Sequence, residues 1–129
     1  MKRPATPDLP ILPFRVIETQ ISGVRALTAS GQTAAALLMA WSVFEATARA
    51  ALGAKFAQPM AALSVVEMLV FEGYLSQEDG HRARLVARQR NQLAHGDLSV
   101  QISKVDLTDF TNCIQDVLRL AETPEVATT

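Results

Sequence analysis

Six consecutive residues in the second half of the chain carry the groups best suited to chemistry. The stretch Arg90-Asn91-Gln92-Leu93-Ala94-His95 combines a permanent cation, an amide and a titratable imidazole within about one and a half turns of a helix. Arginine can hold two phosphate oxygens in a planar fork, and an imidazole of unperturbed pKa about 6.5 can accept or donate a proton near neutral pH. These groups suit a phosphodiester, and the chemistry requires neither a metal nor a cofactor.

Positive charge is concentrated around this stretch. The whole chain has a formal net charge of -1 and a pI near 6.1, which excludes a global basic field that would attract nucleic acid. Between His81 and His95, however, no acidic residue occurs and four arginines do: Arg82, Arg84, Arg88 and Arg90. Without them, eight basic residues stand against thirteen acidic ones. Positive charge is therefore local to this segment.

The elements that must position these groups are predicted to be helices. The chain has 129 residues, of which 49% are hydrophobic and 5% aromatic, and this favours a single all-α domain. Periodicity and breakers predict five helices in a compact bundle. They run from Phe14 to about Leu27, from after Ser30-Gly31 to about Leu52, from Pro59 to Gly73, from the N-cap Ser76 to about His95 with Gly96 ending it, and from about Asp106 to before Pro124.

Three helices show a candidate core face. The second helix carries an apolar stripe of Leu37, Trp41, Phe44, Ala48 and Leu52, and should be the central core helix. In the third helix, Leu63, Val66 and Val70 are predicted to face inward. In the fourth helix the core face is predicted to contain Leu85, Val86, Gln89 and Leu93.

The second helix and the lone cysteine bear on location. The most apolar run, residues 34–54, contains Glu45 and Arg49, which favours a buried helix over a membrane span. Cys113 has no partner for an internal disulfide and suits a reducing compartment. We therefore expect a cytoplasmic protein.

Two terminal segments lie outside the predicted helical domain of residues 14–122. Residues 1–13 contain Pro4, Pro7, Pro10 and Pro13, and the spacing of three predicts an extended polyproline arm. The arm is either a stiff tail lying on the surface, which we favour, or a ligand for a proline-reading domain. Residues 123–129 are predicted to be a flexible tail.

The fourth helix is predicted to present two surfaces besides its core face. On an ideal helix, Arg84, Arg88, Asn91 and His95 share one outward face, and Asn91 could orient the His95 ring. Ala83, Ala87 and Ala94 form a flat strip with Arg90 beside it, on which another helix could pack closely. Arg90 lies about 140° around the helix from His95, so a symmetric partner docked on this strip would be needed to bring the two groups together.

A structural interpretation stands beside the chemical one. Arginines on a surface helix are most often solvated, and a histidine next to a helix-ending glycine commonly caps carbonyl groups. On composition and spacing alone this interpretation is the more common one.

The residues nevertheless resemble a known signature. Arg90-Asn91-Gln92-Leu93-Ala94-His95 is similar to the motif of the HEPN superfamily (higher eukaryotes and prokaryotes nucleotide-binding domain), in which Arg, a polar residue and then His follow one another. Leu93-Ala94-His95-Gly96 and Ala40-Trp41-Ser42-Val43-Phe44-Glu45-Ala46 also resemble many members. The resemblance covers most of residues 37–120.

The resemblance implies a helical bundle that forms a symmetric dimer and cleaves RNA without a metal. In active members the RNA 2′-hydroxyl attacks the adjacent phosphate, leaving a 2′,3′-cyclic phosphate and a 5′-hydroxyl. Carried over, His95 is the general acid or base, Arg90 the phosphate clamp and Asn91 the orienting residue. Our own reading of the helix adds Arg84 and Arg88 as contacts to the RNA backbone.

The family also leaves alternatives open. Toxin members often have Tyr two residues after the His, where this chain has Asp97, and other members bind nucleotide, RNA or a partner protein without cleavage. A defence, stress or toxin-antitoxin context, with an antitoxin or operon partner, follows from the resemblance alone. A third possibility is a purely structural dimerisation bundle. Glu45 either positions Arg90 or Arg49 near the cleft, or reaches solvent or pairs with Arg49.

Overall fold

The structure, a computed structural model, describes residues 8–122. These residues form five α-helices and one short 3-10 turn, joined by loops. The helices are α1 (Phe14–Ala29), α2 (Thr33–Leu52), α3 (Ala62–Phe71), α4 (Gln77–Ala94) and α5 (Lys104–Glu122), and the 3-10 turn is Gly53–Phe56. No strand occurs within residues 8–122. The predicted all-α class with five helices is confirmed.

Helix α2 is the centre of the bundle and contacts the other four helices. All five residues of its predicted apolar stripe are buried. The rings of Trp41 and Phe44 lie 4.9 Å apart, and each meets Phe110 of α5, at 6.1 and 5.2 Å between ring centroids. Such aromatic packing fixes the rotation of α2 about its axis and so the direction in which Glu45 points.

One segment of the described chain, Thr33–Phe56, is long and apolar enough to cross a membrane by length and composition. Half of its most apolar window is buried inside the bundle. Its contacts with four helices are those of a core helix, as predicted.

Helix α3 differs from its prediction in start and face. It begins at Ala62, because Ala61 still has an extended backbone (φ -58°, ψ 141°), and Pro59 lies before it in a non-helical segment. Leu63 is exposed, whereas Val65, Val66 and Leu69 are buried. Nearly every residue of α3 is apolar, so periodicity could not select the inward face. The predicted end is confirmed, since Gly73 has a φ of +85° that favours glycine.

Helix α4 is rotated relative to its prediction. Val86 and Gln89 are buried as expected, but Leu85 is 39% exposed, while Ala83 and Ala87 are 0% and 1% exposed within a single chain. Ala83 and Ala87 therefore belong to the core face and only Ala94 is exposed, so the prediction that the three alanines form a surface for a partner helix was wrong. Small side chains allow α4 to approach the central helix closely, and this contact outweighs the burial of one leucine.

The ends of α4 and α5 are set by local hydrogen bonds. The Ser76 hydroxyl accepts a hydrogen bond of 3.0 Å from the backbone N–H of Asp79, which confirms the predicted N-cap. Gly96 ends α4 with a φ of +88°. Helix α5 begins two residues earlier than predicted because the Ser103 hydroxyl accepts from the N–H groups of Val105 and Asp106.

Residues 8–13 of the predicted arm run along the protein. The N–H of Leu9 donates to the carbonyl of Ala57 at 2.8 Å, and the amide of Gln58 donates to the Asp8 carboxylate at 2.7 Å. Leu12 packs against the core. Residues 1–7 and the predicted tail, residues 123–129, lie outside the described residues.

Candidate functional site

Arg90 lies at the junction of α4 and α2. Since Ala83 and Ala87 turn toward the core, Arg90, which is beside them on the helix, turns the same way and is half-buried. Its Nη1 donates a hydrogen bond of 2.8 Å to Oδ1 of Asn91. The rotation of α4 therefore gives Arg90 a sheltered position and an amide that holds it.

Glu45 of α2 supplies a carboxylate to the same junction. Burial raises the pKa of Glu45 above its ordinary value, and the charges of Arg90 and Arg49, together with a hydrogen bond involving the Trp41 side chain, act in the opposite direction. Glu45 thus interacts with both arginines that the sequence offered as partners. A carboxylate in this position restricts where the Arg90 guanidinium can lie.

Arg49 completes this arrangement, which we call the Glu45 cluster: Trp41, Glu45, Arg49 and Arg90. The Arg49 guanidinium lies 5.3 Å from the centroid of the Phe56 ring, a cation-π contact. Its buried Nε has no hydrogen-bond partner in residues 8–122. The sequence analysis did not identify Trp41 and Phe56 as neighbours of the site. The spacing of four could have indicated Trp41, because it places Trp41, Glu45 and Arg49 on one side of α2.

His95 occupies a different position from Arg90. It is exposed and follows the last residue of α4, and its backbone N–H donates to the Asn91 carbonyl at 3.0 Å. The expected side-chain contact between Asn91 and His95 is not formed, because the Asn91 amide oxygen accepts from Arg90 instead. Asn91 therefore orients the cation, and the imidazole is open to solvent.

Arg84 and Arg88 lie on the outward side of α4. Arg88 is exposed, and Arg84 is half-buried with its Nη1 3.5 Å from Nδ1 of His81. Within the described chain neither of them forms an ion pair, whereas Arg82 pairs with Asp79 at 2.9 Å. Arg84 and Arg88 thus have no ion-pair partner in the described chain that would compete with an external anion.

Asp97 places a negative charge shortly after His95. Its Oδ1 accepts hydrogen bonds from the Ser99 backbone N–H at 3.0 Å and from the Ser99 hydroxyl at 2.5 Å, and these bonds lower the pKa of Asp97. The carboxylate is engaged in the turn that follows α4. It is therefore held by that turn and does not pair with any of the arginines of α4 in the described chain.

Metal and thiol chemistry have no arranged site in the described residues. No group of three or more His, Cys, Asp or Glu side chains in residues 8–122 is placed to hold a metal ion. Burial raises the pKa of the Cys113 thiol to about 12, so its thiolate form is scarce at neutral pH.

Comparisons of the chain with known protein families, with curated proteins and with solved structures found no match.

Proposed function

We propose that this chain is a HEPN-like RNA-binding domain that cleaves RNA without a metal, working as a symmetric dimer in the cytoplasm. The observation that supports this proposal most is the end of α4. There Arg90 is held by Asn91 in a half-buried junction, and an exposed imidazole follows it five residues later. Defence, stress response or a toxin system, with an antitoxin or operon partner, belongs to the same proposal.

Each group has a defined task in this mechanism. His95 takes the proton from the 2′-hydroxyl, or gives one to the departing 5′-oxygen, while the 2′-oxygen forms a bond to phosphorus. The bond between phosphorus and the 5′-oxygen breaks, which leaves a 2′,3′-cyclic phosphate and a 5′-hydroxyl. Arg90 stabilises the charge that develops on the phosphate oxygens, and Asn91 and Glu45 position Arg90.

Arg84 and Arg88 bind the neighbouring phosphates of the same strand. Their charges are unpaired within the described chain, and they lie on the same helix as the reacting groups. Such contacts position RNA without reading its sequence.

A second copy is part of the proposal for a geometric reason. Positions 90 and 95 lie about 140° apart around a helix, and here Arg90 turns to the α2 junction while His95 is exposed. One chain therefore offers the phosphate clamp and the proton carrier on different sides. Two chains facing each other would place the Arg90 of one near the His95 of the other.

The test is cleavage of single-stranded RNA by the purified protein in excess chelator. We expect products with 2′,3′-cyclic phosphate and 5′-hydroxyl ends, and no cleavage of DNA of the same sequence, because DNA lacks the attacking hydroxyl. His95→Ala and Arg90→Ala should each slow cleavage by about 10²–10⁴-fold.

The chain provides matched controls for both variants. His81, the other histidine, is exposed near the start of α4, and Arg15 is exposed on α1, so His81→Ala and Arg15→Ala should cleave at the wild-type rate. Intact RNA after incubation with the wild type, or cleavage that survives both His95→Ala and Arg90→Ala, would refute the enzymatic proposal.

A second candidate function is an RNA- or nucleotide-binding module without cleavage. The specific observation in its favour is Glu45, whose charge partly neutralises Arg90. This candidate predicts binding that weakens steeply with salt, with the salt slope reduced by about 0.7 for each of Arg84→Ala and Arg88→Ala, the value for one phosphate contact on a single strand. The wild type would then bind RNA and release it uncut.

A further inference from the structure

A recess between α1 and α5 holds positive charges that the proposed mechanism does not use. Its volume is about 230 Å³. Two cationic side chains, three threonines and an alanine line it: Arg25, Lys104, Thr28, Thr108, Thr111 and Ala29. We call these six residues the threonine recess. Lys104 and Thr108 are exposed, so the recess opens to solvent.

The two cations lie on opposite walls of the threonine recess. Arg25 of α1 is half-buried, and its Nη2 donates a hydrogen bond of 3.0 Å to Oδ1 of Asn112 on α5. This bond fixes the guanidinium and uses one of its five N–H groups. Lys104 is the first residue of α5, and a methyl group added at Gly31, in the turn after α1, would lie 4.0 Å from its Cε. The lysine therefore reaches back across the recess toward the end of α1.

The charge of these two residues is not neutralised by the chain. Neither has an ion-pair partner in residues 8–122, and no acidic side chain of this part of the chain lines the recess. Asp106 and Asp109 project from another side of α5, and Asp109 lies 4.0 Å from Arg82 of α4. Two cations on facing walls repel each other, and an anion between them would remove that repulsion. The charge of the recess is therefore that of an anion site.

The three threonines add hydrogen-bond acceptors to this site. Each hydroxyl donates to the backbone carbonyl four residues earlier on its own helix, at 2.9 Å for Thr28 and Thr108 and at 2.6 Å for Thr111. The hydroxyl proton is thereby used, and the oxygen offers its lone pairs to a donor on a ligand. The recess thus suits a ligand that combines an anionic group with a hydroxyl donor.

We propose that the threonine recess binds a ribose phosphate unit of a single RNA strand. The phosphate lies between Arg25 and Lys104, and the 2′-hydroxyl donates to the oxygen of Thr108, the exposed threonine. That hydroxyl is the group by which a protein distinguishes RNA from DNA. A cavity of about 150 Å³ admits a benzene ring, so a recess of about 230 Å³ has room for a phosphate and part of its sugar. The base stays outside, and the contact does not read sequence.

The position of the recess favours an RNA strand over a free nucleotide. Residues 95–103 connect α4 to α5, and in this connection the carbonyl of Gln101 accepts a hydrogen bond of 3.0 Å from the Gln89 side chain of α4. The start of α5, where Lys104 lies, is thus held beside the second half of α4. A strand bound at the end of α4 can pass over the start of α5 to the recess. The choice of an RNA strand rests on the proposed function, whereas affinity for ribose phosphate does not.

Nuclear magnetic resonance titration of the full chain with mononucleotides tests the recess without any cleavage. Uridine 3′-monophosphate should shift the backbone amide signals around Arg25 and Lys104, and Arg25→Ala should abolish these shifts. The 2′-deoxy form should bind about 2- to 10-fold more weakly, because it lacks the donor to threonine. Shifts that occur only at the end of α4, or none at all, would overturn the recess as a binding site.

A threonine variant tests the contact to the 2′-hydroxyl. Thr108→Val should lower the affinity for uridine 3′-monophosphate to that of the 2′-deoxy form and leave the affinity for the 2′-deoxy form unchanged. Thr19→Val is the matched control, since Thr19 is also exposed and donates to the carbonyl four residues earlier, that of Arg15, but lies outside the recess. A preference for the ribose form that survives Thr108→Val would refute this contact.

Binding of a single-stranded RNA oligonucleotide is measured in the His95→Ala chain, so that cleavage does not interfere. Arg25→Ala and Lys104→Ala should each weaken binding by about 10-fold or more and reduce its salt slope by about 0.7. Arg15→Ala, exposed on α1, should change neither quantity, and circular dichroism should show all variants folded. In the His95 chain the first two variants should raise KM for RNA and leave kcat unchanged.

The outcomes separate this inference from the enzymatic proposal. RNA binding that is unchanged in both Arg25→Ala and Lys104→Ala would overturn the recess. Equal affinity for the mononucleotide and the oligonucleotide would assign the recess to free nucleotides and overturn the RNA strand as its ligand. Binding that responds to both variants while the wild type leaves RNA intact would uphold the recess and refute only the enzymatic proposal.

Discussion

The two halves of α4 contrast with each other although they form one continuous helix. In the first half, the Ser76 cap, the close packing of Gly80 on α3 and the buried Ala83 fix the backbone. A methyl group added at Gly80 would lie 2.9 Å from Cγ2 of Val70, which shows how closely α3 and α4 approach. In the second half, burial continues only as far as Gln89; from there on Arg90 and Leu93 are partly buried, and Asn91 and Ala94 are exposed, as is His95, which follows the helix.

This difference shows how one helix of a small bundle can be anchored by its first half and present polar side chains to solvent at its end. The first half packs against α3 through Gly80 and pairs with α5 through Arg82 and Asp109 at 4.0 Å, while Arg82 also pairs with Asp79 of its own helix. The end of the helix is positioned by that anchoring, so Asn91 and His95 can face solvent. Groups carried on a rigid helix are held more precisely than groups on a loop.

The largest expected effect comes from placing the same new charge in each half. Ala83 is fully buried and Ala94 is exposed, so Ala83→Asp should lower the free energy of unfolding by about 3–5 kcal/mol, the cost of an unpaired buried charge. Ala94→Asp should cost at most about 1 kcal/mol, from its unfavourable position near the C-terminus of the helix. Urea unfolding of both variants measures the contrast, and similar losses at the two positions would show that the halves are not different.

The alanines also show what the sequence could and could not predict. The stripe of α2 was predictable because its large apolar residues recur at helical spacing and no other face competes. Helix α4 has few large apolar residues, so the sequence allows two orientations of the helix. One buries Leu85, and the other buries Ala83 and Ala87. Which face turns inward depends on how closely α2 can approach, and that is a property of the assembled bundle.

The candidate site divides in the same way. Spacing alone placed Arg90 and His95 on different sides of α4, and the structure keeps them there. The hydrogen bond from Arg90 to Asn91 and the approach of Glu45 depend on the rotation of α4 and on contacts between residues 45 positions apart, which no local pattern encodes. The predicted contact between Asn91 and His95, which rested on their spacing of four, was therefore wrong.

A smaller effect should appear where α2 meets the second half of α4. Burial raises the pKa of Glu45 above 4.5, so between pH 4.5 and the raised value the folded chain holds more protons than the unfolded chain. The free energy of unfolding then falls as the pH rises through this window. Glu45→Gln lacks this titration, and urea unfolding at several pH values should show the wild type losing stability relative to the variant above pH 4.5. A relative gain instead would mean that Arg90 and Arg49 outweigh burial.

The smallest effect is expected just beyond the second half, at Asp97, and it has the opposite sign. Hydrogen bonds from Ser99 lower the pKa of Asp97 below 3.8, so its contribution to stability is fully present above pH 3.8 and is lost as the pH falls through the lowered pKa of the folded chain. The carboxylate is fully exposed, so solvent screens the effect, and nuclear magnetic resonance titration is the sharper measurement.

That titration should show the Asp97 pKa moving up toward its ordinary value in Ser99→Ala, which removes the hydroxyl donor but keeps the backbone donor. Ser103→Ala is the matched control, since that hydroxyl caps α5 and makes no bond to Asp97. An Asp97 pKa that is unchanged by Ser99→Ala would mean that the turn does not hold the carboxylate. The Asp97 charge would then be free to approach Arg84 and Arg88, where we propose that phosphate binds, and the turn after α4 would be less ordered than the Ser76 cap before it.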